Sequence, residues 1–254
     1  MTSVPTTADA KSAFLLSTIF AIAGAATVPG IMPSLPAKAQ KLPLPLPVFC
    51  GVLLVQLTAV YGLLGLAGFH LARSVGREPS SLLTLFWNSP TTGPQLERPA
   101  PAFTIGLCCG LFLVAAVASI GRLFPGTLPS TLHPPTPLVA MLASIAGSFG
   151  EEILFRLFLL SLILRMLPRS NVGTSAAVIL SALAFSAMHT PAFVFLFHGF
   201  EHVPTLAWFW VIGLNSLCGI AYGLAYTRWG ILSAIAIHLG TDTIWHAVSQ
   251  IFAS

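Results

Sequence analysis

A short charged segment, SFGEEILFRLFLL from Ser148 to Leu160, interrupts an otherwise apolar stretch of the sequence. Glu152 and Arg156 are four residues apart, so on a helix they share a face and can pair. Glu151 lies about 100° around the helix from Glu152 and is therefore free to face another group. Carboxylates in this setting can act in acid–base catalysis. Equally, all three residues can form a buried ion cluster that only locks helices together.

Two more pairs of side chains follow at helical spacing. FSAMH places Phe185 and His189 four residues apart, and HLGTD places His238 and Asp242 four residues apart, so each pair lies on one helix face. A lone histidine in a bundle is usually structural, but histidines and carboxylates in several separate apolar stretches are harder to explain in that way. Counted at about 1.5 Å per residue from the ends of those stretches, the groups can meet at one level in a water-filled cavity.

The composition of the chain shows which solvent surrounds these groups. The chain has 254 residues, of which 56% are hydrophobic and 7% are charged, whereas soluble domains carry about 25% charged residues. Such a chain cannot cover itself with polar surface, so lipid must surround it. A net charge of +4 without basic runs argues against nucleic acid as a partner. The four cysteines form no C-x-x-C pair, so neither a disulfide framework nor a zinc knuckle is indicated.

Seven apolar stretches are long enough to cross a bilayer, which takes about 20 residues. They show no period-two alternation, so helices are expected, and Pro191 is expected to kink the fifth. The first could instead be a signal peptide, because Lys11 precedes it and AGAAT resembles a cleavage site. The sequence thus predicts an all-α, polytopic transmembrane bundle of about seven spans that encloses a polar cavity. The predicted spans are Ala13–Met32, Val48–Ala72, Ala102–Ile120, Leu138–Leu167, Gly173–Phe200, Leu206–Tyr226 and Trp229–Val248.

Lysine and arginine orient the chain, because cytoplasmic loops carry an excess of these residues. Seven fall on the same side of the predicted spans as the N-terminus, and three fall on the other, which favours a cytoplasmic N-terminus. The compartment stays open, because a bacterial plasma membrane and an endoplasmic reticulum membrane would contain the same spans. The seven are Lys11, Arg73, Arg77, Arg98, Arg165, Arg169 and Arg228, and the three are Lys38, Lys41 and Arg122.

A competing motif is HGFEH, from His198 to His202, which matches the H-x-x-E-H pattern of some zinc peptidases. That pattern requires a helix, which Gly199 weakens and which Pro204 limits on the other side. The motif also falls at a predicted span end. A polar helix end at the membrane interface is therefore the favoured interpretation.

Taken in order, the three motifs resemble those of the CAAX-protease and bacteriocin-processing (CPBP, or Abi) family of intramembrane proteases. The matching residues are Glu151-Glu152-x-x-x-Arg156, Phe185-x-x-x-His189 and His238-x-x-x-Asp242. The resemblance covers about Leu138 to Val248, so we expect residues 137–254 to form the catalytic core. Residues 1–136 then supply three spans without motifs. Each motif alone is weak, whereas three in order on successive spans are fairly specific.

The resemblance implies a bundle that encloses a proteolytic cavity, with Glu151, Glu152, His189, His238 and Asp242 as catalytic residues and Arg156 in a structural ion pair. Eukaryotic relatives remove the terminal tripeptide of prenylated CAAX proteins, and bacterial relatives process peptides or confer immunity. Two mechanisms stay open. Glu151 can activate water without a cofactor, or Glu151, His189 and His238 can hold a zinc ion.

Two other function classes compete with a protease. The chain could be a non-catalytic immunity or scaffold protein that binds partners, or a proton-coupled transporter, because buried Glu and His residues also form proton relays. A transporter usually shows duplicated halves, which this sequence lacks. A scaffold has no need for converging polar groups. An intramembrane endopeptidase that acts on a membrane-associated peptide or a prenylated protein is therefore the favoured prediction.

Overall fold

The computed structural model describes residues 6–32, 41–77, 97–127 and 136–252, with side chains up to residue 246. Every regular element in these residues is a helix, which confirms the predicted all-α class. The α-helices are α1 (Thr7–Ile31), α2 (Leu46–Ser74), α3 (Pro99–Leu123), α4 (Pro137–Glu152), α5 (Ser161–Met166), α6 (Asn171–Met188), α7 (Thr190–Leu196), α8 (Thr205–Trp229) and α9 (Ile231–Phe252). A π-helix, Ile153–Leu160, joins α4 to α5, and a 3₁₀ turn, Phe200–His202, follows α7.

Six helical units in the described part of the chain are long and apolar enough to cross a membrane. They are α1, α2, α3, the continuous run Pro137–Met166, the run Asn171–Leu196, and α8. The 22-residue helix α9 is not among the six, but it occupies the position of the seventh predicted span. The chain is therefore an integral, multi-pass membrane protein with about seven helical spans, as predicted.

The fourth span changes its winding directly after Glu152. Eight residues, Ile153–Leu160, adopt π-helical geometry between two α-helical segments. Ser181 of α6 donates a hydrogen bond to the carbonyl of Phe155 at 2.7 Å, so a neighbouring span satisfies one of the carbonyls of the widened turn. π-helical turns occur often at functional sites. The sequence predicted one long helical span over Leu138–Leu167, and no residue type in it marks this transition.

The α-helix of the fifth span is interrupted at His189, two residues before Pro191. This interruption is the kink that Pro191 predicts. Pro191 has no N–H and cannot donate to the carbonyl of Ala187. The Thr190 hydroxyl donates to that carbonyl instead, at 2.7 Å. His189 therefore sits at the junction of two helical segments, with its side chain directed by the bend.

Close helix packing fixes the depth of α9. Helix α9 packs against α3, α4 and α8, while α1 packs against α2 and α4. Gly106 and Gly240 allow α3 and α9 to touch through their backbones, since a Cβ at Gly106 would lie 2.1 Å from the Ile237 carbonyl oxygen. Such small residues permit close approach of membrane helices. At the start of α9, the buried Glu97 accepts a hydrogen bond from the Leu232 N–H at 3.2 Å.

Candidate active site

The structure brings together the side chains that the sequence singled out. They come from three spans, which meet where α4 passes into the π-helix, at the α6–α7 junction and near the middle of α9. Ion-pair or hydrogen-bond contacts link neighbouring members into one cluster. The residues are Glu151, Glu152, Arg156, His189, His238 and Asp242.

The inner half of the cluster is closed to solvent. The side chains of Glu152 and Arg156 are both fully buried, and Arg156 Nη1 lies 3.1 Å from Glu152 Oε1. This contact is an ion pair rather than an aligned hydrogen bond, because Nη1 has no hydrogen-bond partner among the described residues. Arg156 also donates from Nη2 to the Gly219 carbonyl at 3.0 Å. Its guanidinium carbon lies 4.5 Å from the centre of the Phe185 ring, so aromatic contacts add to the stabilisation of the buried cation.

Glu151 faces the other way and is partly accessible, with 24% of its side chain exposed against 0% for Glu152. Its Oε2 lies 3.9 Å from His189 Nε2 and 3.9 Å from His238 Nε2. That oxygen is buried and has no hydrogen-bond partner among the described residues. These distances are too long for direct hydrogen bonds but suit a bridging water molecule. The adjacent carboxylates therefore have different environments, as their helical spacing predicts.

Hydrogen bonds to the ring Nδ1 atoms define the tautomers of both histidines. His189 Nδ1 lies 2.9 Å from the Phe185 carbonyl oxygen, which only accepts, so Nδ1 carries the hydrogen. His238 Nδ1 lies 2.9 Å from Glu152 Oε1 and likewise donates to the carboxylate. In the neutral form of each ring, Nε2 then carries a lone pair. Both lone pairs are on the ring edge that faces Glu151.

Aromatic rings hold His238 in place. The Tyr222 ring stacks on the imidazole with 4.5 Å between centroids and 19° between planes. Phe185 meets the same imidazole edge-on at 5.7 Å. The sequence pairs Phe185 with His189 only, and it gives no signal for Tyr222, which is one of two tyrosines in an apolar stretch. Tyr222 is therefore a site residue that the sequence analysis missed.

Asp242 completes the cluster one helical turn beyond His238. Its Oδ2 lies 3.6 Å from His238 Nε2, and its side chain is 21% exposed. Gly147 on α4 lies opposite, where a methyl group would stand 3.3 Å from Asp242 Oδ2 and 3.9 Å from Glu151 Oε1. A glycine at this position thus leaves room between the two carboxylates.

A cavity of about 310 Å³ adjoins these groups. Glu151, His189, His238 and Asp242 all line it, whereas Glu152 and Arg156 do not. Much of the remaining lining is apolar and includes Leu113, Ala143, Phe193, Leu196, Trp210 and Trp245. The site thus combines a few converging polar groups with an apolar wall, which is typical of a ligand pocket.

Glu151, His189 and His238 have the atom types that zinc prefers. Two such ligands of one tetrahedral zinc ion stand about 3.3–3.5 Å apart, whereas the nitrogens here lie 3.9 Å from Glu151 Oε2. Within the part of the chain that the structure describes, no group of three or more His, Cys, Asp or Glu residues is arranged to hold a metal ion. Zinc binding would therefore require the three side chains to move closer together.

The competing HGFEH motif does not form the helix that its chemistry requires. His198 and Gly199 adopt positive φ angles of 60° and 146°, and a short 3₁₀ turn follows. The Glu201 and His202 side chains are 73% and 61% exposed. They lie outside the cavity lining.

Comparison with known proteins gives one family match. Residues 133–244 match the family model described as type II CAAX prenyl endopeptidase Rce1-like, and this segment contains all six clustered residues. No curated protein matches the chain, and no solved structure matches it. The family description implies protease activity toward a membrane-associated protein. Over residues 133–244, the chain is similar to the Rce1-like family of type II CAAX prenyl endopeptidases, in agreement with its resemblance to the CPBP proteases.

Proposed function

We propose that the protein is a glutamate-dependent intramembrane endopeptidase, with residues 137–254 as its catalytic core. The observation that carries the proposal is the position of Glu151, a cavity-lining residue whose Oε2 lies 3.9 Å from the Nε2 atoms of both His189 and His238. A partner-binding scaffold has no need for two imidazoles with inward lone pairs beside a partly exposed carboxylate. Water activation does need such an arrangement.

In the proposed reaction, a water molecule lies between Glu151 and His189. Glu151 Oε2 takes one proton of this water while the oxygen attacks the carbonyl carbon of the scissile peptide bond. His189 Nε2 accepts the other O–H, which orients the oxygen toward the substrate. The C–N bond of the tetrahedral intermediate then breaks, and Glu151 returns its proton to the leaving amine.

The pair formed by His238 and Asp242 faces the oxygen that becomes negative during the attack. Stabilisation of this oxyanion requires a hydrogen-bond donor. His238 Nε2 and Asp242 Oδ2 are 3.6 Å apart, and a single proton held by either atom supplies that donor. An ionised aspartate beside a neutral imidazole would supply none.

Glu152 and Arg156 act through His238 rather than on the substrate. Glu152 accepts the Nδ1–H of His238 and thereby keeps Nε2 directed at the cavity. Arg156 balances the Glu152 charge in a fully buried position. This division assigns general-base chemistry to Glu151 and the positioning of His238 to Glu152.

We propose that the substrate is a peptide segment held at the membrane, either in a prenylated CAAX protein or in a peptide that is processed. The apolar wall of the cavity supports a segment with apolar neighbours, and the family description supports a prenyl protein. The cavity wall and the family description indicate a class of substrate, and neither indicates a particular substrate sequence.

The test uses the full chain, purified and reconstituted in lipid nanodiscs. Prenylated CAAX peptides and an unprenylated peptide library are incubated with it, and the products are identified by mass spectrometry. Glu151→Gln keeps the side-chain shape but removes the base, so cleavage should cease. The matched control is Glu201→Gln, the same chemical change at an exposed position outside the cavity, which should cleave normally.

Two results would contradict the proposal. Cleavage that persists in Glu151→Gln would show that this carboxylate is not the base. Absence of any cleaved product with wild-type protein, together with tight peptide binding or proton-coupled uptake into liposomes, would favour a scaffold or a transporter.

A further inference from the structure

The cavity lies toward one end of the bundle. Because consecutive spans alternate in direction, the start of α1 lies on the same side as the starts of α3 and α9 and the end of α8. We call this the near side and the opposite one the far side. The far side holds the starts of α2, α4 and α8 and the end of α7.

On each reactive span, the cavity continues from the polar cluster toward the far side. On α4 the lining residues precede Glu151, and on α7 and α9 they follow His189 and His238. In every case this direction leads to the far end of the helix. The residues concerned are Ala143 and Gly147 on α4, Ala192, Phe193 and Leu196 on α7, and Thr241, Asp242, Trp245 and His246 on α9.

On the near side of the cluster, a tightly packed apolar core closes the bundle. Leu157, Leu160, Ile231 and Tyr226 are each at most 4% exposed and belong to one core cluster. The Tyr226 hydroxyl lies 2.7 Å from the Ser161 hydroxyl, so the polar groups within this core are paired with each other. Close packing of this kind leaves no passage for a peptide.

We infer that the substrate segment reaches Glu151 from the far side, which the distribution of lysine and arginine makes extracytoplasmic. Among the residues that the structure describes, seven lysines and arginines lie at near-side helix ends and loops against two on the far side, and the richer side is normally cytoplasmic. The inference rests on the proposed function and narrows its substrate class. It favours a peptide segment displayed at the outer surface of the membrane over a prenylated C-terminus in the cytoplasm.

The test measures water access to the cavity without measuring proteolysis. Single cysteines are introduced into a full-length background whose four native cysteines are replaced by alanine. Intact cells are treated with a membrane-impermeant, charged thiol reagent, and then again after permeabilisation. Ala192→Cys reports the cavity, because Ala192 is exposed and lines it. Glu201→Cys marks the far side, and Asn171→Cys marks the near side at the start of α6.

The expected pattern is labelling of Ala192→Cys and Glu201→Cys in intact cells, with labelling of Asn171→Cys only after permeabilisation. If Ala192→Cys fails to fold, Leu196→Cys reports access to the cavity instead, because Leu196 also lines it. Adding Glu151→Gln should leave the pattern unchanged, so a loss of proteolysis and a wrong access side can be told apart.

Three outcomes would overturn the inference. Cavity cysteines that label only after permeabilisation, as Asn171→Cys does, while Glu201→Cys labels in intact cells, would place the opening on the near side. Folded variants whose cavity cysteines label under neither condition would show that the far end is closed to water. Labelling of Asn171→Cys but not of Glu201→Cys in intact cells would reverse the orientation and make the access cytoplasmic.

Discussion

His238 Nδ1 donates a hydrogen bond to Glu152 Oε1 at 2.9 Å. The two residues are 86 positions apart in sequence and lie on different spans. The same carboxylate oxygen lies 3.1 Å from Arg156 Nη1. Glu152 therefore connects a buried cation to an imidazole that lines the cavity. Glu151, its neighbour in sequence, lines the cavity, and its buried Oε2, which no described residue bonds, lies 3.9 Å from His189 Nε2 and from His238 Nε2.

This arrangement predicts that substitutions of the two glutamates have different effects. Glu151→Gln should abolish cleavage while the melting temperature stays near that of wild type. Glu152→Ala leaves Arg156 buried without its anionic partner, a change that costs about 3–5 kcal/mol in comparable buried pairs. Thermal unfolding in detergent, followed alongside the peptide assay, measures both effects. Equal melting temperatures for the two variants, with activity kept in Glu151→Gln, would contradict the proposed division.

The spacing of polar residues could predict much of the site. Helical periodicity places Glu152 on the face of Arg156 and turns Glu151 away from it, and the structure shows both features. It also places His238 and Asp242 on one face, where they lie 3.6 Å apart. Such features depend on the geometry of a single helix, which the sequence encodes directly.

Features that depend on contacts between helices could not be predicted in this way. The hydrogen bond from His238 to Glu152 depends on the depth at which α9 packs against α4, and the π-helix depends on how the fourth span meets α6. Tyr222 acts on His238 across two helices, and nothing around it in sequence indicates that role. Apolar packing fixes these relationships, and many apolar sequences would satisfy each one.

Tyr222 offers a test of positioning by an aromatic ring. Tyr222→Phe keeps the ring that stacks on His238, so turnover should stay close to wild type. Tyr222→Leu removes the stacking, which is worth about 0.5–1.5 kcal/mol, and kcat should fall by up to about tenfold. Peptide cleavage rates at saturating substrate measure the effect. Equal loss in both variants would assign the role to the hydroxyl group instead of the ring.

Gly147 allows the geometry of the site to be changed without removing a reactive group. In Gly147→Ala the new methyl group would stand 3.3 Å from Asp242 Oδ2, so one of them must shift by a few tenths of an ångström. Small displacements of catalytic groups are costly, and we expect kcat to fall on the order of tenfold. Stability should be kept or raised, because alanine is the better helix former.

The matched control for this variant is Gly213→Ala on α8, where a new methyl group meets nothing within 4 Å. Both variants make the same chemical change inside a membrane helix. Equal activity of the two variants would show that the space beside Asp242 has no catalytic importance.

Asp242 distinguishes the metal-free mechanism from a zinc mechanism. Asparagine donates a hydrogen bond at any pH, whereas aspartate donates only when it is protonated. If position 242 faces the oxyanion without a metal, Asp242→Asn should keep or raise the cleavage rate, and a strong chelator should leave wild type active. If Asp242 supports a zinc ligand, Asp242→Asn should weaken metal affinity by about 10–100-fold, and added zinc should partly restore its rate.

The decisive measurement is the peptide cleavage rate of both proteins with chelator, with added zinc, and across pH. We expect the metal-free pattern, because Glu151 and His189 are placed to hold a water molecule without an ion. Loss of wild-type activity on chelation, reversed by zinc, would establish the metal-dependent mechanism instead.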